Sequence, residues 1–193
     1  MVFIPKRGLC YDGDKFKIKA QLLMTKQIYL AGFDVFRQDA IAHGQHLQQL
    51  CAEYGFKGLY PLDNAAPSNL RGELLAQWIY QANIALIEQA DAVIANLNPF
   101  RGHEPDSGTV FEVGYAIARH KVVAVYTEQQ GDLISQIPHQ EQGSLSLDGQ
   151  GFILENFGLN MNLMLACSVQ ANCACFEECL RFLQQHYATT ARY

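Results

Sequence analysis

The chain has 193 residues, 49% of them hydrophobic and 17% charged, enough for one domain with a sizeable core. Its formal net charge of −5 argues against a nucleic-acid backbone as partner, because phosphate binding calls for a basic surface. No apolar run approaches the ~20 residues of a membrane helix, and residues 1–7 place their charge after a short apolar run, the wrong order for a secretory signal. A cytoplasmic protein that engages neither membrane nor nucleic acid is expected. Of the six cysteines, Cys10 and Cys51 stand alone, while Cys167, Cys173, Cys175 and Cys179 crowd the C-terminal quarter. Their spacing matches no zinc pattern, so they read as buried free thiols on a C-terminal helix. His43 and His46 share a helix face without a third ligand, and no metal is expected.

Residues 1–26 read as an accessory segment, in which Tyr11-Asp12-Gly13-Asp14 is turn chemistry for a β-hairpin between 2–4 and 15–22. Residues 27–31 form the first clear strand, closed by Gly32. A helix over 37–54 turns Ile41, Ala42, Leu47, Leu50 and Cys51 inward and stops at Gly55. A short strand over 56–60 ends at Pro61-Leu62-Asp63-Asn64. The next helix, over 70–89, carries the stripe Leu70, Leu74, Leu75, Trp78, Ile79, Ala82 and Leu86, and Asn83 lies along that stripe. Residues 91–97 are a continuous apolar strand, the pattern of a strand covered on both faces. After a polar loop, a helix opening at Gly108 is apolar almost all round and reads as nearly wholly buried; residues 121–126 are another buried strand. Residues 129–151 lack periodicity and read as a long loop or lid. A stretch at 152–156 and a final helix over 174–187 follow.

Strands of buried type alternating with helices predict a three-layer α/β sandwich around a parallel sheet of about five strands, flavodoxin-like or Rossmann-like, with residues 1–193 as a single domain. In such sheets ligands gather outside the carboxyl ends of the strands. That rule collects the loops after Ala31, Leu62 and Leu97 into one crevice. No P-loop, dinucleotide fingerprint or nucleophile elbow is present, so no cofactor is expected. What remains is acids. Asp106 ends the loop and Glu112 follows inside the helix. Two carboxylates in one crevice can divide the work of nucleophile and proton donor, which suits cleavage of a glycosidic bond.

Plainer roles fit the same residues. Thr109-x-x-Glu112 matches a capping box, in which Glu112 only reaches back to the helix start, and Asp106 could be no more than an acid favoured by the helix dipole. Tyr29 on a buried strand is commonly a core residue, and Asn83 a hydrogen-bonded core amide. Spacing alone leaves these alternatives open.

Several stretches together resemble the nucleoside 2-deoxyribosyltransferase family. They are Ile28-Tyr-Leu-Ala-Gly-Phe-Asp-Val-Phe36, Tyr60-Pro-Leu-Asp63, Asn83 eight residues before Asp91, Ala95-Asn-Leu-Asn-Pro-Phe-Arg-Gly102, Asp106-Ser-Gly-Thr-Val-Phe-Glu-Val-Gly-Tyr-Ala116 and Asn162-Leu-Met164. The resemblance spans about residues 27–168. It implies that Glu112 is a nucleophile forming a covalent 2-deoxyribosyl intermediate, that Tyr29 orients it, and that Asp106 exchanges a proton with the leaving base. It also implies that Gly32, Phe33, Asp34, Asn83 and Phe100 help bind the substrate, with Phe33 or Phe100 stacking on a base. Asn83 stands where other members carry an acid, and Phe33 where many carry proline. Asn162 matches a residue that reaches a neighbouring subunit's site, which implies a homo-oligomer. The expected activity moves 2-deoxyribose between nucleobases with retention, so a deoxynucleoside and a free base are the partners. Hydrolysis by the same carboxylate and a non-catalytic nucleoside-binding module are the alternatives. Nucleosides are favoured over nucleotides, because Asp34 stands where a phosphate cradle would lie and would repel it.

Overall fold

A computed structural model of the chain describes residues 25–190, so the hairpin expected before residue 25 lies outside the described residues. The described chain runs β1 (Gln27–Ala31), a 3-10 turn (Phe33–Phe36), α1 (Ala40–Glu53), β2 (Lys57–Leu59), a second 3-10 turn (Pro61–Asp63), α2 (Gly72–Gln89), β3 (Ala92–Asn96), α3 (Ser107–Ala118) and β4 (Val122–Tyr126). It continues through α4 (Leu133–Gln136), β5 (His139–Gln142), β6 (Leu145–Asp148), α5 (Leu163–Ala166), β7 (Ala171–Cys173) and α6 (Phe176–Thr190). Five of the strands form an all-parallel sheet in the order β2-β1-β3-β4-β7. This is the doubly wound, flavodoxin-like arrangement.

Strand parity sorts the core into two layers. Tyr29, Ala31, Val93, Ala95, Val123 and Val125 pack with Ile87 of α2 and with Val113 and Ala116 of α3. The alternate residues Ile28, Leu30, Ala92, Ile94 and Ala124 pack with Leu47 and Cys51 of α1 and with Cys179, Leu180 and Leu183 of α6. Every residue of β3 is buried, the apolar run Ala92–Ala95 as its pattern predicts and the polar Asn96 with it. Gly44 is the close-approach glycine of α1: a Cβ there would lie 2.4 Å from the Tyr60 ring.

The structure corrects several expectations. Helix α1 starts at Ala40 with Asp39 as its N-cap, and the face it turns to the sheet runs through Ala40, Gly44, Leu47 and Cys51, which leaves Ile41 57% exposed. The fifth sheet strand is β7, in a stretch to which the sequence pattern assigns no element, and Ile153 makes only an isolated bridge to Leu147. Residues 129–151 are not structureless, since they hold α4 and the antiparallel β5–β6 hairpin. The five described cysteines are free, but only Cys179 is buried on α6. Helices α2 and α3 are not fully covered: Leu74 is 69%, Tyr80 49% and Phe111 51% exposed. Their apolar stripes are wider than the surface the sheet can cover.

Candidate active site

The strand order reverses between β1 and β3, and the crevice outside their carboxyl ends is the expected ligand position of such a sheet. A cavity of about 480 Å³ opens there, within the roughly 300–1,000 Å³ of small-molecule sites. Gly32, Val35 and Phe36 contribute from the turn after β1, and Pro61, Leu62, Asn64 and Ala66 from the segment after β2. Trp78, Ile79, Ala82 and Asn83 come from α2, and Asp106, Gly108, Thr109 and Glu112 from the start of α3. Asp106 and Glu112 are the ionisable side chains of this lining; no lysine, arginine or histidine borders it among the described residues.

The start of α3 settles what Glu112 does locally. Asp106 is the N-cap, and its Oδ2 accepts from Thr109 N at 2.9 Å and from Thr109 Oγ1 at 3.0 Å. With Asp106 as the cap, Thr109 lies inside the helix and Glu112 is a turn too far along to reach back, so the capping box does not form. The Asp106 N-cap places a negative charge at the positive end of the helix, and leaves Oδ1 without a protein donor among the described residues.

Glu112 turns toward the sheet instead. Tyr29 Oη donates to its Oε1 at 2.6 Å and Asn83 Nδ2 donates to the same oxygen at 3.3 Å. Strand parity makes the first bond possible, because Tyr29 points to the α2/α3 side of the sheet. Both donors hold one oxygen, and Oε2 has no protein donor among the described residues. Burial raises the Glu112 carboxyl from its ordinary 4.5 to about 7; the bonds from Tyr29 and Asn83 oppose the rise, and the charge of Asp106 adds to it. Burial first, and then the adjacent carboxylate, push the Tyr29 phenol far above its ordinary range. Tyr29 therefore stays a proton-bearing donor. The result is a carboxylate fixed at one oxygen and free at the other, which can act as nucleophile or base.

The other sequence-expected residues are divided. Gly32 and Asn83 line the cavity, although Asn83 spends one amide hydrogen on Glu112. Phe33 and Phe100 do not line it. They stack on each other with ring centroids 4.9 Å apart, and Phe36 and Trp78 provide the aromatic surface at the cavity. Asp34 is only 6% exposed and sits behind the wall. Asn162 caps α5, accepting from Met164 N and donating to Glu155, each at 2.9 Å. It borders a separate cavity of about 630 Å³ with Val110, Val113 and Met164, on the other flank of α3. Sequence reasoning missed Phe36, Asn64, Trp78 and Thr109. Asn64 and Phe36 follow from the strand-end rule, whereas Trp78 stands on an apolar stripe like any core residue. No cluster of three potential metal ligands occurs among the described residues, and no described helix is long and apolar enough to cross a membrane.

Fold and site together define a flavodoxin-like domain with a carboxylate-bearing cavity at its switch point. The sequence pattern of the nucleoside 2-deoxyribosyltransferase family matches residues 28–164. This chain belongs to that family. It is similar to a solved 2-deoxyribosyltransferase from Leishmania mexicana, with 34% identity, a TM-score of 0.67, and coverage of 83% of this chain and 98% of that one. A conserved protein from Enterococcus faecalis shares the fold at 20% identity and a TM-score of 0.57, covering 84% of this chain and 99% of that one. An uncharacterized protein of Schizosaccharomyces pombe is 33% identical over 112 residues, which span 56% of this chain and 53% of the relative. The match thus spans about half of that curated relative.

Proposed function

We propose that the chain transfers 2-deoxyribose between nucleobases through a covalent intermediate on Glu112. The observation that carries this reading is the one-sided grip on the carboxylate, with Tyr29 and Asn83 on Oε1 and Oε2 left free. In the first half-reaction Oε2 forms a bond to the anomeric carbon as the bond from that carbon to the base nitrogen breaks. The electron pair leaves with the base, which takes up its proton from the acid form of Asp106, carried on the Oδ1 that the cap leaves free. A second base then attacks the same carbon from the face the first one left, its ring proton passes to Asp106, and the bond to Oε2 breaks. Two inversions give net retention. A 2-deoxy sugar lacks the electron-withdrawing 2-hydroxyl, so positive charge develops more easily at its anomeric carbon and a carboxylate suffices as nucleophile.

The all-acid ionisable lining supports neutral nucleosides over nucleotides, since a phosphate there would meet two carboxylates and no cation. A homo-oligomer is part of the same reading. Tyr80 and Phe111, both about half exposed, meet with ring centroids 6.2 Å apart, and Leu74 and Met164 are exposed as well, which supports an interface. Asn162, which its own chain keeps away from Glu112, would serve a neighbouring copy. The test incubates the protein with a deoxynucleoside, with and without a second base. Exchanged nucleoside, a sugar adduct on Glu112 with a 2-fluoro-2-deoxynucleoside, and no turnover in folded Glu112→Ala are expected. Equal release of free sugar in both incubations would make the chain a hydrolase; turnover retained by Glu112→Ala would remove Glu112 from the chemistry.

A further inference from the structure

Behind the cavity wall lies a buried carboxylate that the chemistry above does not use. Asp34 is 6% exposed, in the 3-10 turn after β1, and a charge so placed is costly unless it is well bonded. Its Oδ2 accepts from Asn96 Nδ2 at 2.9 Å, and its Oδ1 lies 3.2 Å from His43 Nε2 on α1. Asn96 ends β3, and its own Oδ1 accepts from Asn98 N at 3.1 Å and Asn98 Nδ2 at 2.8 Å. Asn98 Oδ1 then accepts from Glu128 N at 2.8 Å and from Thr127 Oγ1 at 3.4 Å, just beyond β4. One line of hydrogen bonds therefore crosses the carboxyl ends of β1, β3 and β4.

Gly32, which lines the cavity, rests directly on this line: a Cβ there would come within 2.7 Å of Asp34 Oδ2 and 2.9 Å of Asn96 Cβ. On the solvent side the same two loops are held again. Phe100 stacks with Phe33 and with Phe36 at centroid distances of 4.9 and 5.5 Å, and the Arg101 guanidinium lies 4.6 Å from the Phe100 ring centre. The turn after β1 supplies Gly32, Val35 and Phe36 to the cavity, and the loop after β3 leads to Asp106. A slip between these loops would change the distance from the Gly32 and Phe36 wall to Glu112, whereas Asp106 is held to Glu112 by α3 itself.

We propose that Asp34 is a positioning residue: through Asn96 it locks the Gly32 turn to the loop after β3, and so keeps the cavity wall in register with Glu112. The kinetic part of this inference rests on the proposed deoxyribosyl transfer; the structural part does not. Asn96→Asp sets two carboxylates against each other, Asp34→Ala removes the tie, and the exchange pair Asp34→Asn/Asn96→Asp restores one carboxylate facing one amide. Each single variant is expected to lose on the order of tenfold or more in kcat/KM per folded enzyme, as small displacements at reacting centres do. The exchange pair is expected to recover to within about threefold of the parent, since the two changes share one contact and are not additive. A purely structural role would lower the melting temperature of the single variants and leave kcat/KM unmoved. Amide hydrogen exchange without substrate is the second readout: residues 32–36 and 97–106 are expected to speed up together in the single variants and slow again in the exchange pair. Unchanged exchange, or a change confined to one loop, overturns the tie. An inactive parent protein would refute the transferase reading instead, with the exchange data still deciding the lock.

Discussion

Replacing Glu112 by glutamine is expected to stop turnover and yet make the protein more stable at alkaline pH. Burial lifts this carboxyl from 4.5 to about 7, so between those values the folded chain holds a proton that the unfolded chain gives up. The contribution to stability is fully present below pH 4.5 and is lost as pH rises through 7. At about 1.36 kcal/mol per pH unit, the full penalty of the ionised group approaches ~3 kcal/mol. Glu112 opens onto the cavity, and water there lowers the figure, leaving about 1–3 kcal/mol. Glutamine stays neutral throughout and keeps an oxygen for the Tyr29 hydroxyl. Urea titrations of both proteins, at one chain concentration to hold any association constant, are the assay. Near pH 8.5 the glutamine variant should be the more stable by that amount, and near pH 5 most of the gap should close. A variant no more stable than the parent at pH 8.5, or a gap independent of pH, would refute the argument that desolvation holds the Glu112 carboxyl high.

Four further outcomes are expected. Tyr29→Phe removes a bond that holds the Glu112 carboxyl down, so kcat should fall and the acid limb of the kcat/KM profile should move above pH 7. Asn83→Asp should move it the same way, by adding like charge and deleting a donor; an unmoved limb in both would mean that another group titrates. Gly44→Ala drives a methyl group to 2.4 Å from the Tyr60 ring and should cost about 1–3 kcal/mol of stability, read by denaturant midpoint. Phe111→Glu, on the bare face of α3, should shift sedimentation to smaller species and lower turnover, while an unchanged sedimentation coefficient would take that face out of the assembly.

Much of the fold was legible because buried parallel strands announce themselves. β3 and β4 are short unbroken apolar runs, and both stand in the sheet where periodicity predicts. β7 was not legible. Ala171–Cys173 is a three-residue edge strand with only one sheet neighbour, so it carries little of that apolar signal. Ile41 was misplaced because the face that α1 turns to the sheet runs through Ala40, Gly44, Leu47 and Cys51, and two of these are small residues that a hydrophobic pattern passes over. The candidate site was legible as a place, from the strand-end rule, more than as a list. Asp34 and Phe33 stand in the right loop, yet one is buried behind the wall and the other stacks on Phe100.

By itself the sequence determined the alternation that sends Tyr29 to the α2/α3 face, the apolar core strands, and the two acids at the head of α3. Those depend on local periodicity and on residue chemistry, which a single chain carries in its order. Which acid caps the helix was beyond its reach. Asp106-x-x-Thr109 and Thr109-x-x-Glu112 compete for the same backbone amides, and the choice depends on where the loop after β3 delivers the helix. Only the tertiary structure awarded the cap to Asp106 and left Glu112 to Tyr29 and Asn83, 83 and 29 residues away along the chain. It likewise set Asn162 on the far flank of α3, because long-range packing, not spacing, decides which side of a helix a distant loop meets.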